Sequence, residues 1–164
     1  MLFQFMIVIM KRNRASQDGR LAGTQPRCRP KPSKRILVVD DDVFLRENNA
    51  EVLTRCGYQT ETAEDGAAAW EALQAHGYDL LITDNNMPNV SGVELVNKVR
   101  SAHMTLPVIL ASGAMPAEEL DRQPWLHLAA TLSKPFTGAE LLGTVEKVLR
   151  PAVSAREEIP ALSF

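Results

Sequence analysis

The sequence predicts an α/β fold, a parallel sheet with helices on both of its faces. Three observations carry this reading. Short apolar runs at 36–39, 80–83 and 107–111 are continuous rather than alternating, as in strands buried on both faces. Segments with helical apolar spacing separate these runs, giving five strand–helix units. Two later helices announce their starts as capping boxes, Ser91 with Glu94 and Thr137 with Glu140.

The elements follow in order. Ile36-Leu37-Val38-Val39 is the first strand, and Asp40-Asp41-Asp42 ends it. A helix is expected over 43–56, closed by Gly57, with Leu45, Val52, Leu53 and Cys56 on its apolar face. Asn49 falls on or beside that face, where an aliphatic residue would pack better. Residues 58–62 read as a short strand. Asp65-Gly66 opens an alanine-rich helix ending near Gly77. Residues 79–83 form the central strand, and 91–101 a helix with Val93, Leu95, Val96 and Val99 apolar. The fourth strand covers 107–111, with Pro107 tolerated at its first position. A weak helix is expected over 115–123 and a short fifth strand over 128–132. The last helix carries Leu141, Leu142, Val145, Val148 and Leu149 on one face and stops at Pro151.

At 164 residues and 45% apolar content, the chain suits one domain with tails. Residues 1–33 read as a disordered basic arm, 34–150 as the domain and 151–164 as a loose tail. The net charge of −2 conceals an asymmetry. Residues 1–35 hold nine Lys/Arg and one acid, and the remainder nine Lys/Arg and nineteen acids. An acidic body argues against nucleic-acid binding by the domain itself. The apolar stretch 1–10 is too short to span a bilayer, and its positive charges follow it, unlike those of a signal peptide. A mischosen start codon is favoured over a membrane-surface anchor as its origin. Cys28 and Cys56 suggest no disulfide framework, so a reducing cytoplasm is the expected compartment.

The chemistry concentrates where strands end. Asp40, Asp41 and Asp42 follow the first strand, Asp84 the third, Ser112 the fourth and Lys134 the fifth. In a parallel sheet all these ends share one edge, where open α/β sheets bind ligands. Asp84 read alone could equally be a helix-capping or turn residue. Clustered carboxylates repel, by about 4 kcal/mol for two charges about 4 Å apart at an effective dielectric near 20. An all-oxygen set with open positions suits Mg²⁺, which keeps waters and accepts phosphate oxygens. With a lysine and a hydroxyl nearby, this is a phosphoryl-binding site, and Asp84 can be its nucleophile.

These motifs resemble those of the response-regulator receiver domain. Val38-Val39-Asp40-Asp41-Asp42, Asp84-Asn85-Asn86-Met87-Pro88, Ala111-Ser112-Gly113 and Ser133-Lys134-Pro135-Phe136 stand in the family's order between about Lys34 and Arg150. The resemblance implies a flavodoxin-like three-layer (βα)5 sandwich with strand order 2-1-3-4-5. It implies that Asp84 is the phosphoacceptor, Asp41 a direct Mg²⁺ ligand and Asp40 its water-mediated partner. Asn86 would contribute its backbone carbonyl to the metal, Ser112 would contact the phosphoryl group, and Lys134 would pair with it. Pro135 would follow a cis peptide, and Asp42 would cap the first helix. Two residues depart from the pattern. Thr131 replaces an aromatic that swings inward on phosphorylation, and Asn49 replaces an aliphatic. If Thr131 cannot make that swing, the switch is expected in the loop after Ser112 and the helix over 115–123.

The expected function is a phosphoacceptor of a two-component phosphorelay, not an enzyme on an external substrate. A sensor histidine kinase or histidine phosphotransfer protein would supply the phosphoryl group, and a downstream protein would read it by contact. No DNA-binding output domain and no transmembrane span are expected. Two rivals are a receiver-like adaptor that never turns over phosphate and a Mg²⁺-dependent phosphohydrolase with an Asp nucleophile. The second favours another Asp two residues on, where this chain has Asn86. The complete set of Asp41, Asp84, Ser112 and Lys134 argues against the first. His76, His103 and His127 read as surface or capping residues, and Trp70 and Trp125 as packing residues.

Overall fold

The computed structural model describes residues 34–113 and 124–150. The basic arm, the tail and the helix expected over 115–123 lie outside the described residues. Five parallel strands form one sheet in the order β2-β1-β3-β4-β5. They are β1 (Arg35–Val39), β2 (Gln59–Ala63), β3 (Leu80–Asp84), β4 (Val108–Ser112) and β5 (Ala130–Ser133). The helices are α1 (Val43–Arg55), α2 (Gly66–Ala75), α3 (Gly92–Ser101) and α4 (Gly138–Val148). A 3₁₀ turn at Pro124–Leu126, not anticipated from the sequence, leads towards β5. The flavodoxin-like order taken from the resemblance is the order observed.

The continuous apolar runs serve both faces at once, because successive strand side chains point to opposite sides. Ile36 and Val38 pack with Leu53 of α1 and Leu141 and Val145 of α4. Leu37 and Val39 pack with Ala69 and Leu73 of α2 and Leu95, Val96 and Val99 of α3. β3 repeats the division, with Leu80 and Ile82 on the first face and Leu81 on the second. Both capping boxes form as expected, at Ser91–Glu94 and Thr137–Glu140. Gly57 closes α1 with φ +86, a conformation that glycine alone adopts freely.

Two expectations fail. Leu45, expected on the buried face of α1, is 43% exposed, and its first-turn neighbours Val43 and Phe44 are exposed too; the buried face of the helix begins only at Asn49. Trp125 is 56% exposed rather than packed; its neighbour Leu126 fills the core instead. Asn49 is buried in α1 as its spacing indicated. Among the described residues no helix is long and apolar enough to cross a membrane.

Candidate functional site

Parallel pairing brings the strand ends together. β1 and β3 run in register from Ile36 with Leu80 to Val39 with Thr83, so Asp40 and Asp84 emerge side by side. β3 pairs with β4 through Asp84 and Ala111, and β4 with β5 through Ser112 and Ser133. Two backbone bonds extend the edge past the strands, Asn85 N to Ala111 O at 2.9 Å and Lys134 N to Ser112 O at 2.9 Å. The Lys134–Pro135 peptide is cis, as the resemblance implied.

Oxygen atoms of Asp40, Asp41 and Asp84 all lie within 4.8 Å of one another. Asp40 and Asp84 are buried, whereas Asp41 is exposed. Lys134 reaches across from β5 and sits 2.9 Å from both Asp40 Oδ2 and Asp84 Oδ2. Burial works against its charge, but hydrogen bonds to Asp40 and Asp84 and the charges of both outweigh that and raise its pKa. Ser112 is buried at the end of β4. The acidic run divides its labour. Asp42 turns away to cap α1, accepting from Phe44 N at 2.8 Å and Leu45 N at 3.1 Å. Asp40 is held in place by Asp42 N on Oδ1 at 3.0 Å, and Arg46 donates to its carbonyl at 2.7 Å.

One atom in this edge is out of balance. Asp84 Oδ1 is buried and has no hydrogen-bond partner among the described residues. A buried charged acceptor without a partner is costly, and a cation or a transferred group would satisfy it. Three carboxylates against one ammonium leave the cluster short of positive charge. An all-oxygen donor set with that deficit fits Mg²⁺, and Asp40, Asp41 and Asp84 are the side chains that would hold it.

The sequence therefore named the acids, Ser112 and Lys134 that the structure gathers at one edge. It missed Gly92. A Cβ there would stand 2.2 Å from Asp84 O, so only glycine lets α3 begin directly beneath the phosphoacceptor candidate. The signal was available, since Gly92 immediately follows the Ser91 cap of a helix that must start against a strand end.

The model of the response regulator receiver domain matches residues 36–146. Among curated proteins, the regulatory protein VirG of Agrobacterium fabrum is 32% identical over 148 residues, 88% of this chain and 58% of that protein. The sensor histidine kinase RcsC of Escherichia coli is 40% identical over 102 residues, 62% of this chain and 11% of that protein. The chain thus spans little more than half of the first relative and a tenth of the second. Among solved structures, the chemotaxis response regulator CheY4 of Vibrio cholerae is 32% identical with a TM-score of 0.67, covering 72% of this chain and all of that one. The response regulator TrrA of Thermotoga maritima, solved in complex with Mg²⁺ and BeF, is 36% identical with a TM-score of 0.63, covering 71% and 99%.

Proposed function

Since the chain belongs to the response regulator receiver domain family, we propose that it accepts a phosphoryl group on Asp84 from a phosphohistidine of a sensor histidine kinase or phosphotransfer protein. The observation that carries this is the unpartnered Asp84 Oδ1, buried beside two acids and a lysine. A carboxylate that was merely structural would have both oxygens satisfied.

The chain's own residues divide the work. An Asp84 oxygen attacks phosphorus as the P–N bond of the donor breaks. The imidazole leaves with that electron pair and takes a proton from solvent. Lys134, already 2.9 Å from Asp84 Oδ2, turns its charge to the phosphoryl oxygens. Ser112, at the end of the neighbouring strand, donates its hydroxyl to the same group. Asp40, Asp41 and Asp84, with the Asn86 carbonyl, would hold Mg²⁺, which when bound would offset the charge of an anionic donor among carboxylates. Asp40 stays oriented through Asp42 N and Lys134. Phosphorylation is then read by protein contact.

The phosphohydrolase reading is weaker. It needs an acid–base carboxylate two residues past the nucleophile, and Asn86 cannot exchange a proton there. Mass spectrometry after incubation with acetyl phosphate and Mg²⁺ tests the proposal. One acyl-phosphate adduct on Asp84 is expected, absent with a chelator and in Asp84→Asn. An adduct of equal yield on another residue would overturn it.

A further inference from the structure

The first turn of α2 touches the 85–91 loop, which carries Asn86. Two contacts make the join. Asp65 Oδ1 caps α2, accepting from Ala67 N at 2.9 Å and Ala68 N at 2.8 Å. Its other oxygen, Oδ2, accepts from Asn89 Nδ2 at 3.3 Å. The Asp65 carboxyl is held below its ordinary pKa, first by the Ala68 N–H and then, against burial, by the Asn89 amide and the Ala67 N–H. Beside it, a Cβ on Gly66 would stand 2.6 Å from Val90 Cγ1 and 2.7 Å from Val90 O. The helix can begin so close to the loop only because Gly66 has no side chain.

The loop is pressed from its other end as well, by Gly92 against Asp84 O. Between these supports its backbone is tightly turned. Asn89 sits at φ +65, Val90 N donates to Pro88 O at 2.7 Å, and Gly92 N donates to Asn85 O at 3.2 Å. Asn86 lies inside this turn, three residues from Asn89. A shift at 89–90 has few places to be absorbed before it reaches the Asn86 carbonyl.

We propose that Asp65 and Gly66 are positioning residues for the metal site: through Asn89 and Val90 they hold the 85–91 loop in the shape in which the Asn86 carbonyl serves the ion. This rests on the proposed role of Asn86 as a carbonyl ligand. Neither Asp65 nor Gly66 touches the metal or the phosphoryl group.

The test is calorimetric Mg²⁺ titration of the full chain, paired with urea unfolding and with the Asn86 ¹³C′ shift. Asp65→Ser keeps an oxygen to cap α2 but has none left for Asn89. It should unfold like wild type and bind Mg²⁺ about threefold more weakly. Gly66→Ala, which must push Val90 aside, should weaken Mg²⁺ about tenfold or more. Asn89→Gly tolerates φ +65 and should match Asp65→Ser; combining the two should weaken binding no further. Additive losses would show that Asp65 acts by its charge at a distance and overturn the proposal. Wild-type affinity in both Asp65→Ser and Gly66→Ala, with the Asn86 carbonyl shift intact, would also overturn it. An Asn86 carbonyl that ignores Mg²⁺ in wild type would overturn the ligand role and the proposal together.

Discussion

Replacing Asp84 by Asn should stabilise the metal-free domain and blunt its response to Mg²⁺. The magnitude follows from the cluster. Asp40 and Asp84, both buried, have oxygens within 4.8 Å. At an effective dielectric near 20, that pair repels by about 3.5 kcal/mol. Asp41 is exposed, so solvent screens its share. Lys134 at 2.9 Å from Asp84 Oδ2 attracts by about 6 kcal/mol on the same scale. Charge terms thus stabilise the Asp84 carboxylate by only about 2 kcal/mol relative to a neutral side chain of the same shape. Against this stands the desolvation of a carboxylate that is 6% exposed and has one unpartnered oxygen, a cost of several kcal/mol. Asparagine has nearly the same shape, keeps an acceptor for Lys134 and costs less to bury. The expected gain is about 1–3 kcal/mol in chelator, or a rise of several degrees in the unfolding midpoint. Urea unfolding with chelator and with saturating Mg²⁺ measures it. Wild type should gain about 2.7 kcal/mol from Mg²⁺ at one hundred times its dissociation constant, and the variant less. A variant less stable than wild type in chelator would refute the reasoning, since the lysine pairing would then outweigh repulsion and burial together.

Asp41→Ala should weaken Mg²⁺ more than Asp40→Ala in calorimetry, because Asp40 is already committed to Lys134 and Asp42 N while Asp41 is exposed; the reverse ranking would contradict the ligand roles. Lys134→Ala should still accept phosphate from acetyl phosphate but lose the amide-shift response along β5, and a response as large as in wild type would count against the coupling. The raised Lys134 pKa also sets a sign: its stabilisation is full below the ordinary value of 10.5 and is lost as pH rises through the higher folded value. The stability difference between wild type and Lys134→Ala should therefore shrink only above about pH 10.5 in alkaline urea titrations. Leu53→Ala, at a fully buried position between α1 and the sheet, should cost about 2–5 kcal/mol by urea unfolding and leave the site's Mg²⁺ affinity unchanged.

Local signals in this chain are strong because they are short-range. The run at 36–39 can only be a strand covered on both sides, since leaving either face wet would expose two large aliphatics. Ser91 with Glu94 and Thr137 with Glu140 satisfy their own helix starts without help from elsewhere. The acids, the serine and the lysine could be placed on one edge from strand polarity alone. Strand order could not: no local pattern tells β1 to lie between β2 and β3, and that order came only through the resemblance.

The sequence by itself determined the elements, the two-sided core and which residues end each strand, because propensity, capping and apolar period act within a few neighbours. Tertiary structure alone decided what depends on distances between remote segments. It set Lys134 between Asp40 and Asp84, left Asp84 Oδ1 without a partner, exposed Leu45 and Trp125, and pressed Gly66 and Gly92 against the loop that holds Asn86. Those outcomes follow from packing five strands and their helices into one volume, where a contact between residues ninety-four apart is as direct as one between neighbours.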